Sequence, residues 1–441
     1  MFEHLSLSER GRHAFSTELR KDYNLFFQAS ENLYHPKTNP MGSFPLNIAE
    51  NKLNWEMLKA KLETISSGIR IPEWVAGYSS NLGHEGLRNA LSIFLKTFVC
   101  GDEVNPFNIG IASGATAVIE LTSMILGDIG DVVVFPAPSY PVYGRDINNK
   151  AGLERYNLQT HHEIAEIKDG PVLSIFHLEH AKLRIESQGK RFRILVLTNP
   201  DNPTGGIYSL GQLETISDWC IKNKIHLVVN EIYALSLLDT THWSIADDYS
   251  GSLCFNSIIK VMNSRKSQYL HQWYALSKDF GLSGMRVGMV YTFNTAFLTA
   301  FNNLSLPHLV SNHTQWLMEH LLTDEQFMRG FLGEQQIALT DNYVIVVNLL
   351  KTLDIPYVPA RGSLFVWADF SSFLEQQNIL SETIFWENLY EYTGVLLTPG
   401  DGFAHHKPGM FRIVHSCFNA VDLQVAMERM DKYLKGLSRS R

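Results

Sequence analysis

The stretch ILVLTNPDNPTGGIYSLGQLETISDWCIKNKIHLVVN, residues 194–230, decides the fold. It opens on an apolar run, Ile194–Thr198, turns through Asn199-Pro200-Asp201-Asn202-Pro203-Thr204-Gly205, and closes on a second run, His226–Asn230. Between the runs Ser209 is a helix cap and Gln212, three positions on, completes a capping box. Leu213, Ile216, Trp219 and Cys220 recur at helical spacing and form one apolar stripe. Parallel strands need a crossover of this kind between them. The unit therefore predicts a parallel sheet covered by helices.

Working outward, further strands are expected at Asn108–Ala112, Val132–Pro136, Gln272–Ser277 and Val287–Tyr291, with a helix over Ala115–Leu126 opening directly after Ser113-Gly114. The segment His161–Gly189 is polar and charged, and reads as a bridge over the surface of this lobe. From about Pro307 the pattern changes. Helical periodicity runs through 315–322 and 335–353, followed by strands at Leu364–Ala368 and Phe411–Cys417. With the first sixty or so residues, this part reads as a smaller α+β lobe built from both chain ends. The expected division is 61–310 for the large, ligand-binding domain and 1–60 with 311–441 for the small one.

A chain of 441 residues is long enough for two such lobes. Its 45% hydrophobic and 19% charged content is that of a globular protein. A net charge of -8 gives no electrostatic reason to expect nucleic acid or an anionic membrane as partner. No apolar stretch reaches the roughly 20 residues of a membrane span, and the mixed Met1–Arg20 segment does not read as a signal peptide. Ser438-Arg439-Ser440-Arg441 reads as a frayed basic tail. Cys100, Cys220, Cys254 and Cys417 are scattered, which predicts buried free thiols in a reducing, cytoplasmic compartment.

Lys278 sits after an apolar run and before the glycine-punctuated loop Phe280–Gly288, with Arg286 eight residues on. That arrangement suits an amine forming a Schiff base with an aldehyde cofactor while the arginine grips its phosphate; taken alone, the lysine reads as a surface residue ending a strand. Gly114-Ala115-Thr116, at an expected helix N-terminus, offers backbone N–H groups to a phosphate, or simply makes a tight turn. Tyr140 lies in the stiff Phe135-Pro136-Ala137-Pro138-Ser139-Tyr140-Pro141 loop, where a ring stacks on a cofactor or packs in the core. Asn202 and the pair Asn230 and Tyr233 follow strand ends, where α/β sheets hold their ligand crevice. Arg412 offers a bidentate pair to a carboxylate, or is a surface arginine. His405-His406 reads as a solvated loop rather than a metal pair, with no third ligand at suitable spacing.

Taken together, these pieces resemble the class I/II aminotransferase group of fold-type I pyridoxal phosphate enzymes, and within it the 1-aminocyclopropane-1-carboxylate synthase branch. Leu46-Asn47-Ile48-Ala49-Glu50-Asn51, Gly114-Ala115-Thr116, Pro136–Pro141, Asn199–Gly205, Ile225–Val229 and Ser277–Gly288 carry the finer likeness, which spans Asn32 to Leu434. The resemblance implies an aspartate aminotransferase-like fold, with a mostly parallel seven-stranded sheet covered by helices in the large domain. It implies pyridoxal 5′-phosphate as cofactor, an amino-acid substrate, and a homodimer with the site near the subunit boundary. By position Lys278 is the Schiff-base lysine, with Tyr233 beside it in the chemistry. Gly114, Ala115, Thr116, Ser277 and Arg286 serve the phosphate. Tyr140 stacks on the ring, Asn202 and Tyr233 hold its oxygen, Arg412 takes the substrate α-carboxylate, and Glu50 faces the substrate.

Three positions depart from the family pattern. Asn230 stands where the family has an aspartate that keeps the pyridine nitrogen protonated, and an amide cannot supply that charge. Ala275 replaces a serine that binds phosphate. Asn81 falls where a tyrosine reaches the neighbouring subunit's phosphate. A weaker electron sink disfavours ordinary transamination. The implied function is an enzyme working through an external aldimine and Cα deprotonation, with γ-elimination or γ-replacement on a substrate of the S-adenosyl-L-methionine type in specialised biosynthesis. An aminotransferase, and a degenerate homologue acting as a binding scaffold, are the alternatives.

Overall fold

The computed structural model describes residues 6–17 and 20–437, so the N-terminal Met1–Leu5 and the basic tail Ser438–Arg441 lie outside the described residues. The unit at 194–230 forms as the sequence predicts. Ser209 N–H donates to Gln212 Oε1 at 2.9 Å and Gln212 N–H donates to Ser209 Oγ at 3.2 Å, closing both halves of the capping box. The helix Leu210–Asn223 buries Leu213, Ile216, Trp219 and Cys220. Strands Phe192–Thr198 and His226–Asn230 pair in parallel, with Thr198 opposite Asn230. Along them alternate residues enter two different cores: Leu195, Leu197, Leu227 and Val229 one, Ile194, Val196 and Val228 the other. Both sheet faces are covered, which is why these runs are almost wholly apolar.

The large sheet has seven strands in the order 109–112, 288–292, 270–275, 226–230, 192–198, 132–137, 154–159. Only Gly288–Thr292 runs against both its neighbours. Six of the seven match the sequence expectation to within two residues. The seventh, Glu154–Gln159, is an edge strand paired only with Val132–Ala137, and its mostly open side chains leave no apolar run to read. The segment 161–189 is also more than a polar bridge. Ser174 and His177 cap a helix, Ile175–Glu186, that buries Leu178, Ala181 and Ile185 amid charged residues.

A four-stranded antiparallel sheet, ordered 398–399, 410–414, 365–369, 357–358, organises the second lobe. Phe44–Pro45 joins this lobe by pairing with Val395–Leu396, so both chain ends build it. The helices at 315–322 and 335–353 begin earlier than their periodicity indicates, at Asn312 and Glu325. The boundaries at 61 and 311 need correction on packing grounds. Residue 61 falls inside the helix Trp55–Gly68. Leu58, Leu62 and Ile65 of that helix, with Trp316 and Leu321, belong to the large-lobe core. The 28-residue helix Glu325–Thr352 then crosses the seam: Met328 and Phe331 sit in the large-lobe core, Leu339, Tyr343 and Val346 in the other.

All four cysteines are free, but Cys254 is exposed because it lies in the loop before the helix Ile258–Arg265. No helix among the described residues is long and apolar enough to cross a membrane.

Candidate active site

The carboxyl ends of the central strands open into a cavity of about 210 Å³ whose wall includes Tyr140, Asn202, Asn230, Tyr233, Lys278 and Arg412. Residues far apart in sequence meet there because parallel strands all present their ends on one edge. Ala115, Thr116, Ser277 and Arg286 complete the side nearest the helix Ala115–Leu126.

That side is shaped by close backbone approach. Gly114 has φ +89°, and a Cβ on it would stand 2.5 Å from Arg286 Nη2. A Cβ on Gly288 would meet the Gly114 backbone at 2.5 Å. Glycine is required at both positions, and the result is a guanidinium set against a helix N-terminus. Arg286, itself at φ 53°, is held there through the carbonyls of Ser283 and Ser113, at 2.9 and 3.3 Å. The first N–H groups of a helix lack partners within it and favour an anion.

Lys278 does not end a surface strand. The strand stops at Ala275, and Leu276–Asp279 winds into a helical turn. The turn is held by the buried Asp279 carboxylate, which accepts from Leu235 N–H at 3.1 Å, Ser236 Oγ at 2.6 Å and Tyr274 OH at 3.0 Å. Since Ser236 belongs to the turn that carries Tyr233, one carboxylate ties the tyrosine and lysine loops together. Lys278 Nζ donates to the Ala49 carbonyl oxygen at 2.6 Å. Burial, then the positive Arg412, lower its pKa to about 8.

Arg412 is buried, with its guanidinium 4.4 Å from the Phe365 ring centre and 4.9 Å from that of Phe403. It donates to Asn202 Oδ1 at 2.9 Å and to the Asn47 carbonyl at 2.6 Å, while its Nε has no partner. It forms no ion pair with a carboxylate among the described residues. Burial lowers its pKa to about 10, which leaves it charged at neutral pH. A buried cation without an acid is unfavourable unless a ligand supplies one.

Tyr140 presents its ring to the cavity and meets Tyr143 edge-on at 5.2 Å. Arg155 fixes the Tyr140 loop by donating to Ser139 Oγ at 2.8 Å and the Pro141 carbonyl at 3.0 Å. Tyr233 lies against Phe365, ring centres 5.2 Å apart. Asn230 donates through Nδ2 to Tyr143 OH at 2.8 Å.

Glu50 and Asn81 are not on this chain's cavity wall. The Glu50 carboxylate pairs with Lys52 at 2.9 Å and is not on the cavity wall; the backbone of its neighbour Ala49 serves the site instead. Asn81 donates to the Asn302 carbonyl at 3.0 Å, within the large lobe. Ala275, with no hydroxyl, is buried at the strand end. His405 is not on a solvated loop. It is buried against Trp367, ring centres 5.8 Å apart, and faces His161 at 6.1 Å. The described residues hold no group of three side chains arranged to take a metal.

Sequence reasoning missed Tyr23, Ile48, Tyr143 and Asp146, all on the cavity wall. Tyr143 and Asp146 follow Tyr140 at steps of three, a helical spacing that gave a usable signal. Tyr23 arrives from the helix Lys21–Glu31 by tertiary folding alone. Burial pushes the Asp146 carboxyl up to about 7, with Glu120 adding to the rise.

The family model for aminotransferases of class I and II matches residues 45–430. 1-Aminocyclopropane-1-carboxylate synthase 1 of Oryza sativa subsp. indica is 30% identical over 430 residues, covering 93% of this chain and 85% of its own. The 1-aminocyclopropane-1-carboxylate synthase-like protein 1 of Bos taurus is 28% identical over 407 residues, covering 91% and 78%. Among solved structures, an archaeal alanine:glyoxylate aminotransferase superposes with TM-score 0.79 at 18% identity, covering 99% of each chain. The aspartate aminotransferase of Thermus thermophilus with maleate gives 0.76 at 20% identity, covering 97% and 99%.

Proposed function

The chain belongs to the class I and II aminotransferase family, whose members depend on pyridoxal 5′-phosphate, and from that premise we propose an enzyme that removes the Cα proton of an α-amino acid and then expels or replaces a group at Cγ. Its substrate is of the S-adenosyl-L-methionine type, and the reaction serves specialised biosynthesis in the cytoplasm. The observation that carries this reading is Arg412, a buried guanidinium with an unpartnered Nε and no carboxylate of its own, in the same cavity as a lysine whose pKa is lowered to about 8.

The donor set fits the cofactor. Arg286 and the helix N-terminus at Ala115–Thr116 suit its phosphate, the Tyr140 ring suits its face, and Asn202 and Tyr233 suit its ring oxygen. When bound, pyridoxal phosphate supplies an aldehyde that captures amines and a ring that withdraws charge from Cα. Arg412 binds and orients the substrate carboxylate. Lys278 Nζ takes the Cα proton, which its lowered pKa suits to neutral pH. Tyr23 and Ile48 line the cavity from the N-terminal side. A homodimer belongs to the same reading; Trp55, Ile71 and the fully open Tyr78, from one stretch of chain, give it an apolar surface.

Incubation with S-adenosyl-L-methionine tests the reaction. Methylthioadenosine release that is absent in Lys278→Ala is the expected result. Pyridoxamine phosphate accumulating with ordinary amino acids, without thioether release, would replace the proposal with transamination. Failure to bind pyridoxal phosphate at Lys278 would leave only a binding scaffold.

A further inference from the structure

Asn230 is a buried amide whose sense is fixed by its neighbours. Ile232 N–H donates to Oδ1 at 3.3 Å, which identifies that atom as the oxygen. Nδ2 donates to Tyr143 OH at 2.8 Å, and Tyr143 OH lies 3.0 Å from Thr198 Oγ1 on the adjoining strand. The reversed amide would set its NH₂ against the Ile232 N–H, two donors facing each other in a buried site. An NH₂ group carries two hydrogens. Tyr143 takes one, and the other is left for the cavity that Asn230, Tyr143 and Thr198 line together.

Ring chemistry identifies what meets that hydrogen. In pyridoxal phosphate the ring nitrogen lies para to the carbon bearing the aldehyde. The aldehyde goes to Lys278 Nζ, which points to Ala49 and the N-terminal segment. With the aldehyde on Lys278, the ring nitrogen would fall on the ring edge remote from the lysine, within the cavity that Asn230, Tyr143 and Thr198 share with it. We propose, resting on the cofactor reading above, that Asn230 donates to the ring nitrogen and holds it unprotonated, with Tyr143 as the positioning residue that sets the amide's sense. A ring bound this way withdraws less charge from Cα, which favours prompt loss or replacement of a leaving group over transamination. Asp146 is the one carboxyl on the cavity wall among the described residues, with Glu120 as the charge that acts on it, so it is the competing proton source.

Full-length protein loaded with heavy-nitrogen-labelled pyridoxal phosphate tests this by the ring-nitrogen NMR resonance, with borohydride fixation and peptide mapping to locate the attachment. The wild-type resonance is expected at the unprotonated position at neutral pH. Asn230→Asp moves it to the protonated position. Tyr143→Phe, which frees the amide, gives a smaller, pH-dependent shift, and Asp146→Asn leaves it in place. A protonated wild-type resonance, or an Asn230→Asp protein that loads cofactor without any shift, overturns the proposal. So does a wild-type signal that changes protonation only in Asp146→Asn. Fixation away from Lys278 instead overturns the cofactor reading itself, and this proposal with it.

Discussion

Lys278 and Ala49 meet across the two lobes: Nζ of the lysine donates to the Ala49 carbonyl oxygen at 2.6 Å. The segment carrying Ala49 is anchored to the small lobe, since the Asn47 carbonyl accepts from Arg412 and the Glu50 carbonyl from Ser416 Oγ. An incoming aldehyde must displace that hydrogen bond, and only the neutral amine attacks. Burial and Arg412, opposed by Glu50, bring the lysine from 10.5 to about 8. The rate of cofactor loading should therefore rise with pH and level off just above 8. Stopped-flow absorbance checks this; a rise continuing toward 10.5 contradicts it.

Arg412 separates stability from function. It is buried without an acid partner, so Arg412→Met should leave the melting temperature unchanged or raise it. The same variant should lose about 1.5–3 kcal/mol of affinity for an α-amino acid carboxylate, roughly 10- to 150-fold. Calorimetry and amino-acid titration of the loaded protein read the two effects. A variant that unfolds, or that binds the carboxylate normally, refutes the assignment.

Gly114→Ala tests the phosphate side. The added Cβ would stand 2.5 Å from Arg286 Nη2, at a backbone φ of +89° that favours glycine. Cofactor affinity should fall by about tenfold or more, a loss of roughly 1.4 kcal/mol, because the guanidinium is pushed away from the helix N-terminus. Equilibrium dialysis measures the change. Unaltered affinity would remove Arg286 from the phosphate site.

His415 is wholly buried, and neither ring nitrogen has a partner. Burial lowers its pKa from 6.5 to about 3. Between those values the unfolded chain holds the extra proton, so stability is fully present above pH 6.5 and falls as pH drops toward 3. His415→Phe should add about 1 kcal/mol or more at neutral pH by removing an unsatisfied polar group. It should also flatten the acid-side slope of unfolding free energy. Urea melts across pH decide; an unchanged slope contradicts the burial argument.

Asp279 is off the cavity wall yet should prove sensitive to substitution. Asp279→Ala leaves three donors, on Leu235, Ser236 and Tyr274, without their acceptor. The expected loss is about 3 kcal/mol or more, at 1–3 kcal/mol for each group abandoned in the interior. Chemical denaturation measures it, and a loss below the error of such melts would show that these donors find other partners.

Local physics made most of the scaffold readable. The Ser209–Gln212 capping box, the stripe through Cys220 and the apolar strands either side depend on neighbours a few residues away, and the sequence contains those neighbours. Lys278, Asn202 and Asn230 were legible for a related reason: each follows or ends a strand of the large sheet, and its parallel strands bring those ends together whatever the loops do, whereas Arg412 comes from the antiparallel sheet of the other lobe. The edge strand Glu154–Gln159 left no such trace, because one-sided pairing makes no demand for apolar side chains.

Side-chain direction was settled only in three dimensions. Glu50 lies next to the residue that binds Lys278, yet its carboxylate pairs with Lys52, while its backbone carbonyl accepts from Ser416 Oγ. Tyr23 enters the cavity from 255 positions before Lys278, and no spacing rule reaches that far. The sequence alone determined which segments become strands and helices, because helix caps and apolar periodicity act over a few neighbouring residues. The tertiary structure decided which polar groups face the cavity and which satisfy one another, because burial leaves each donor and acceptor only the partners that folding brings within reach.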